Sequence, residues 1–90
     1  MNIIWDPDKA SSNLRKHGVR FSDAESVLYD PQALTIEDED AISEHRFVSL
    51  GTDNLGRILA VVYTYRGEQI RLISARKAEK SEIRSYEKRI

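Results

Sequence analysis

Ile58-Leu-Ala-Val-Val-Tyr-Thr-Tyr65, then Arg66-Gly67-Glu68, then Gln69-Ile-Arg-Leu-Ile-Ser-Ala75 decides the fold. Two runs rich in β-branched and aromatic residues flank a tight turn with glycine at its centre, which spells an antiparallel hairpin. Arg46-Phe-Val-Ser-Leu50 adds a strand upstream, ending at a turn from Gly51 to Gly56. Ala33 to Ile36 adds another, before an acidic loop from Glu37 to Glu44. These segments predict an antiparallel meander of three or four strands, and Asn2 to Trp5 reads as a further short strand.

Helices bracket the meander. Asp6-Pro7 starts one, because Asp accepts from free backbone N–H groups and Pro fits the first helical position. It should run from Pro7 to His17 and close at Gly18. Ser22 with Glu25 forms a capping-box pattern that opens a second helix with Ala24, Val27 and Leu28 on one face, stopped by Asp30-Pro31. The last, about Lys77 to Arg89, carries Ile83, Tyr86 and Ile90 at helical spacing. Two helices before the strands and one after predict an α+β fold with an antiparallel sheet of three to five strands.

Ninety residues without cysteine make one domain, 1–90, with no disulfide or thiolate metal site. No apolar run is long enough for a membrane span and no secretory leader opens the chain, so a cytoplasmic location without membrane partners is expected. The net charge of −1 conceals segregation: residues 21–45 hold eight acids and no Lys or Arg, whereas 66–90 hold eight bases against four acids. Such a field gathers an anionic partner even when the total is near zero.

His45 lies beside Glu37, Asp38, Glu39, Asp40 and Glu44, a grouping that raises metal chemistry. The run lacks the turn glycine and terminal glutamate of a calcium loop, so a solvated acidic loop is the ordinary reading and no metal or cofactor is expected. The arginines carry more chemistry. Arg46, Arg66, Arg71 and Arg76 lie in or at the ends of predicted strands, where a planar, permanently charged fork can hold phosphate. Surface pairing with Glu44, Glu68 or Glu82 is the competing reading. Arg71 and Arg76, five apart, fall on opposite faces of a regular strand unless a bulge or helix start intervenes after Ser74.

His17 suits proton transfer near neutral pH and Lys16 can hold phosphate, although His17 also fits simple packing at the helix end. Lys9, Asn13 and Lys16 form a polar stripe, either a solvated face or a nucleic-acid contact. Glu82 and Tyr86, one turn apart, are proton-transfer candidates. Equally, Tyr86 fits a core and Glu82 an ion pair. Trp5, Phe21, Phe47 and Tyr63 read as core rather than as base-stacking platforms.

Trp5-Asp6, Lys9, Asn13, Lys16-His17-Gly18 and Phe21, then Glu44-x-Arg46, Arg66-Gly67, and Arg71-x-Ile73-Ser74-Ala75-Arg76-x-Ala78 with Glu82 and Tyr86 together resemble the BrnT toxin family. The match runs in order over nearly the whole chain, with Lys-His-Gly and Ile-Ser-Ala-Arg as its specific segments. The resemblance implies a RelE-like ribonuclease toxin that cuts RNA without a metal and is neutralised by a BrnA-type antitoxin. It also implies operator DNA binding only through the toxin–antitoxin complex. Arg46, Arg71 and Arg76 would then bind the phosphate and His17, Glu82 or Tyr86 move protons, with Lys9, Asn13, Lys16 and Arg66 along the RNA. The acidic loop would repel non-specific RNA or meet basic antitoxin residues. A non-catalytic nucleic-acid-binding or antitoxin-binding module is the alternative, since the same arginines suffice for it.

Overall fold

Asp6 caps the first helix as expected, its Oδ1 accepting from the Asp8 N–H at 2.8 Å, and Gly18 closes it at φ 68°. The computed structural model describes residues 1–39 and 44–88. Their order is β1 (Asn2–Ile4), α1 (Pro7–His17), α2 (Phe21–Ala24), a 3₁₀ turn (Glu25–Tyr29), β2 (Leu34–Asp38), β3 (Arg46–Thr52), β4 (Ile58–Arg66), β5 (Gln69–Lys77) and α3 (Lys80–Glu87). Residues 40–43 of the acidic loop, and Arg89 and Ile90 at the expected end of the last helix, lie outside the described residues. Among those described, no helix is long and apolar enough to cross a membrane.

The strands form one five-stranded sheet in the order β1-β5-β4-β3-β2. The meander is antiparallel, but β1 pairs parallel to β5, Ile3 opposite Ile70, so the sheet is mixed and the expectation of a purely antiparallel one is corrected. Tight turns at residues 53–56 and at Gly67 fix the directions of β3, β4 and β5. The helices between β1 and β2 free the first strand from any such constraint, and it joins the far edge.

Two local expectations also change. α2 starts at Phe21 after Arg20, without a side-chain cap, and Glu25 begins the 3₁₀ turn, so Ser22 and Glu25 make no capping box. Phe21 is 2% exposed, and its burial at the first helical position sets the start. α3 begins at Lys80 rather than Lys77 because β5 runs on, with Ala60 opposite Arg76 and Leu59 opposite Lys77.

The register sorts the two sheet faces. On one, Leu59, Val61, Tyr63, Ile70, Leu72 and Ala75 pack with Val19, Phe21, Ala24 and Val27 around α2. Phe21, Leu59 and Leu72 are fully buried, each contributing about 2 kcal/mol. On the other, Leu50 and Ala60 pack with Tyr86 of α3, flanked by Leu34, Val48 and Ile58. α3 thus covers one end of this second face and leaves the other open.

Gly51 shows how tightly the 3₁₀ turn meets β3. A Cβ there would lie 3.0 Å from Val27 Cγ1 and 3.1 Å from Asp30 Oδ2. Gly51→Ala is expected to lower stability by about 1–3 kcal/mol, read as a reduced urea midpoint at unchanged slope.

Candidate functional site

A one-residue irregularity in β5 builds the site. Val62 pairs with Ser74 and Tyr63 with Leu72, so Ile73 is an extra residue. Before it, Ile70 and Leu72 face the α2 core; after it, Ala75 does, where strict alternation would have put Ser74. Arg71 (opposite Thr64), Ser74 (opposite Val62) and Arg76 (opposite Ala60) therefore share the α3 face. The bulge resolves the five-residue spacing.

Arg46 and Arg66 belong to the same face. Asp38 and Arg46 pair two positions from Ile36 and Val48, and Arg66 lies two positions beyond Thr64. The Thr64 hydroxyl donates to the His45 carbonyl at 2.6 Å, fixing the end of β3 beside β4. With strands about 4.8 Å apart, Arg46 and Arg71 rise on either side of Thr64 about 10 Å apart. Arg46 lies 3.7 Å from Glu44, and Arg66 is exposed. Three of the four arginines, Arg46, Arg66 and Arg71, stand on the end that α3 leaves open.

α1 brings a second basic group to the edge of β5. β1 covers β5 only as far as Arg71. Beyond it, Asn13 of α1 receives the Ala75 N–H at 3.0 Å and donates to the Ala75 carbonyl at 2.8 Å and the Val19 carbonyl at 3.0 Å. A side-chain amide has two donors, and both are used. Asn13 is 5% exposed, so the structure gives it the sealing of a strand edge. Beside it an open cleft of about 210 Å³ is lined by Lys9, Ser12, Lys16 and His17 with Ile73 and Ser74. Ser74, which has no chemical role on sequence grounds, both lines this cleft and sits between Arg71 and Arg76.

Arg76 is held in place. Its Nη1 and Nη2 donate to Glu82 Oε1 and Oε2 at 2.7 and 3.0 Å, and Glu82 Oε1 also accepts the Glu79 N–H at 2.8 Å. The bond from Arg76 is the main cause that keeps the Glu82 carboxyl below the ordinary carboxylate range. Glu82 raises the Arg76 guanidinium in turn. A carboxylate so engaged is a weak base, and the ion-pair reading fits its contacts.

Tyr86 takes the core reading. It is 4% exposed, and its hydroxyl donates to Asp30 Oδ2 at 2.5 Å and lies 3.0 Å from Thr52 Oγ1. Asp30 also accepts the Thr52 N–H at 2.9 Å and the Gln32 N–H at 2.9 Å. Burial pushes the Asp30 carboxyl up, but the three donors outweigh it and leave it below its ordinary value, while Asp30 raises the phenol. A depressed folded carboxyl contributes stability above its unfolded pKa and loses it as pH falls through the folded value. Asp30 and Glu82 therefore predict a urea midpoint that falls below about pH 4. The raised phenol acts oppositely, losing its contribution as pH climbs beyond about 10. Asp30→Asn should lower the midpoint at pH 7 and flatten the acid limb, a comparison made by urea titrations from pH 3 to 7.

A row of guanidinium groups beside a basic, histidine-bearing cleft suits a phosphodiester backbone. A family model described as the ribonuclease toxin BrnT of a type II toxin-antitoxin system matches residues 5–82. The chain belongs to the BrnT family. A 1.1 Å crystal structure of the BrnT ribonuclease toxin of Brucella abortus is similar at 32% identity and a TM-score of 0.69, over 89% of this chain and 99% of that one. No match is found among curated proteins. The family is one of ribonuclease toxins, which act on RNA, from type II systems that pair a toxin with an antitoxin. The bulged β5, both basic groups and Glu82 all fall within the matched span.

Proposed function

We propose that the chain is a metal-independent endoribonuclease that cuts RNA by attack of a ribose 2′-hydroxyl on the adjacent phosphate. The observation that carries the reading is the meeting, at Ser74, of the Arg71–Arg76 row and the Lys9–Lys16–His17 cleft. The 2′-oxygen bonds to phosphorus as the bond to the 5′-oxygen breaks, giving a 2′,3′-cyclic phosphate and a 5′-hydroxyl. One proton leaves the 2′-oxygen and one is delivered to the departing 5′-oxygen.

Arg46, Arg71 and Arg76 bind the non-bridging oxygens and stabilise the charge that grows on them, which accounts for cleavage without a metal. His17 is exposed on the cleft and has the chemistry to move protons near neutral pH. Glu82 is a positioning residue that aims Arg76. Lys9, Lys16 and Arg66 steady neighbouring phosphates, and Asn13 and Tyr86 maintain the frame.

With this reading go a RelE-like arrangement of the single domain 1–90, work in the cytoplasm and neutralisation by a BrnA-type antitoxin. The pair would bind operator DNA through the antitoxin. The test is incubation of the antitoxin-free chain with RNA in EDTA. Fragments ending in 2′,3′-cyclic phosphate are expected, and 2′-O-methyl RNA should stay intact. Cleavage only after a divalent cation is added, or cutting of the 2′-O-methyl chain, would contradict the proposal.

A further inference from the structure

Beside Arg76, on the same sheet face, lies a second cleft that the phosphate chemistry leaves unused. It measures about 340 Å³, within the range of small-molecule sites. Its sheet wall is aliphatic, made by Leu34, Ile36, Val48 and Leu50, and its helix wall carries the polar side chains of Ser81, Glu82 and Ser85. Ile36 is 58% exposed, a large apolar side chain on the rim.

We infer that this cleft is a nucleobase subsite, which holds the base of a nucleotide whose phosphate lies on the arginine row. The inference rests on the ribonuclease reading above. Glu82 lines the cleft and also grips Arg76, so the cleft begins one side chain away from a phosphate-binding guanidinium. A base and its own phosphate are likewise neighbours, joined through one sugar. A base is flat and apolar on its faces and polar along its edge, matching an aliphatic wall opposed by two hydroxyls and a carboxylate. Every base has such a face, so the wall supplies affinity, and the Ser81 and Ser85 hydroxyls supply the contacts that discriminate edges. Arg76 is balanced by Glu82, but Arg46, two positions from Val48 of the wall, and Arg71 stand on the same face and favour an anionic polymer over a neutral ligand.

The test is binding of a 2′-O-methyl hexanucleotide pool of random sequence against a hexamer of abasic residues with the same phosphates. Anisotropy is read for wild type, Ser85→Phe and Ile36→Ala. Wild type is expected to bind the base-bearing pool at least about tenfold tighter than the abasic chain. Ser85→Phe, which fills the cleft from the exposed helix side, should remove most of that ratio while leaving abasic binding unchanged. Ile36→Ala, on the opposite wall, should reduce it in part. Equal binding of both chains by wild type, a ratio untouched by either variant, or no binding of either chain overturns the subsite. So does loss of antitoxin binding by Ser85→Phe with its RNA binding intact, which would assign the cleft to the protein partner. RNA cleavage in EDTA, run in parallel, separates the two readings. Cleavage without a base-dependent ratio sinks the subsite alone, whereas a ratio abolished by Ser85→Phe without cleavage sinks the proposed reaction alone.

Discussion

Replacing Arg76 by alanine is expected to slow RNA cleavage by about a hundredfold or more, mainly in kcat. Removing one preorganised donor from a site of developing charge costs about 10² to 10³ in rate, and the forked bond to Glu82 makes Arg76 preorganised. The variant should stay folded. The pair is partly exposed, at 37% and 24% of the two side chains, and exposed pairs contribute about 0–1 kcal/mol. Glu82→Gln should cost less, about tenfold, because the guanidinium remains and loses only part of its aim. Arg76→Lys should recover charge without the fork, and so fall between alanine and wild type. Single-turnover rates at saturating RNA, with melting curves beside them, check this. Equal rates for Arg76→Ala and wild type would remove Arg76 from the chemistry.

Asn13→Leu is expected to destabilise the chain by about 3 kcal/mol. Three hydrogen bonds vanish, and with them the partners of the Ala75 N–H and of two carbonyls, in a side chain packed 62 positions from its strand. A buried polar group left without a partner costs about 1–3 kcal/mol, and the adjoining open cleft lets water relieve part of it. Asn13→Asp should also destabilise, since a carboxylate accepts from Ala75 but cannot donate to either carbonyl. The same loss loosens β5 beside the bulge, so cleavage should fall as well. Urea unfolding at pH 7 measures the effect, and a change below about 1 kcal/mol would show that the strand edge does not depend on the amide.

These two residues show how far the sequence carries. α1 was legible because Asp6-Pro7 and Gly18 are local punctuation whose effect needs no tertiary partner. The hairpin of β4 and β5 was legible for the same reason. β1 was legible as a strand but not as a parallel edge strand, because the choice of edge depends on where α1 and α2 pack. Asn13 read as part of a polar stripe with Lys9 and Lys16; helical spacing says which residues share a face and nothing about what covers it. Tyr86 and Glu82 share a face too, yet Tyr86 turns to Asp30 and Glu82 to Arg76.

The bulge had a trace that was readable only conditionally. Ile70 and Leu72 set an alternation that Ser74 breaks and Ala75 resumes, which is how an extra strand residue looks in sequence. Recognising that would have put Arg71 and Arg76 on one face and made Ser74 a site residue. The polar character of Asp30 gave no hint of the bonds it collects across 22 and 56 positions, from Thr52 and Tyr86. Those bonds are set by packing.

The most direct measurement compares RNA cleavage by Arg71→Ala and Arg84→Ala in EDTA. Both remove one positive charge; Arg71 lies on the proposed site face, and Arg84 is exposed on α3. A loss of about a hundredfold is expected for Arg71→Ala and a change of less than about threefold for Arg84→Ala, with both variants folded. Equal losses would mean that RNA answers to overall charge rather than to this face, and would contradict the site.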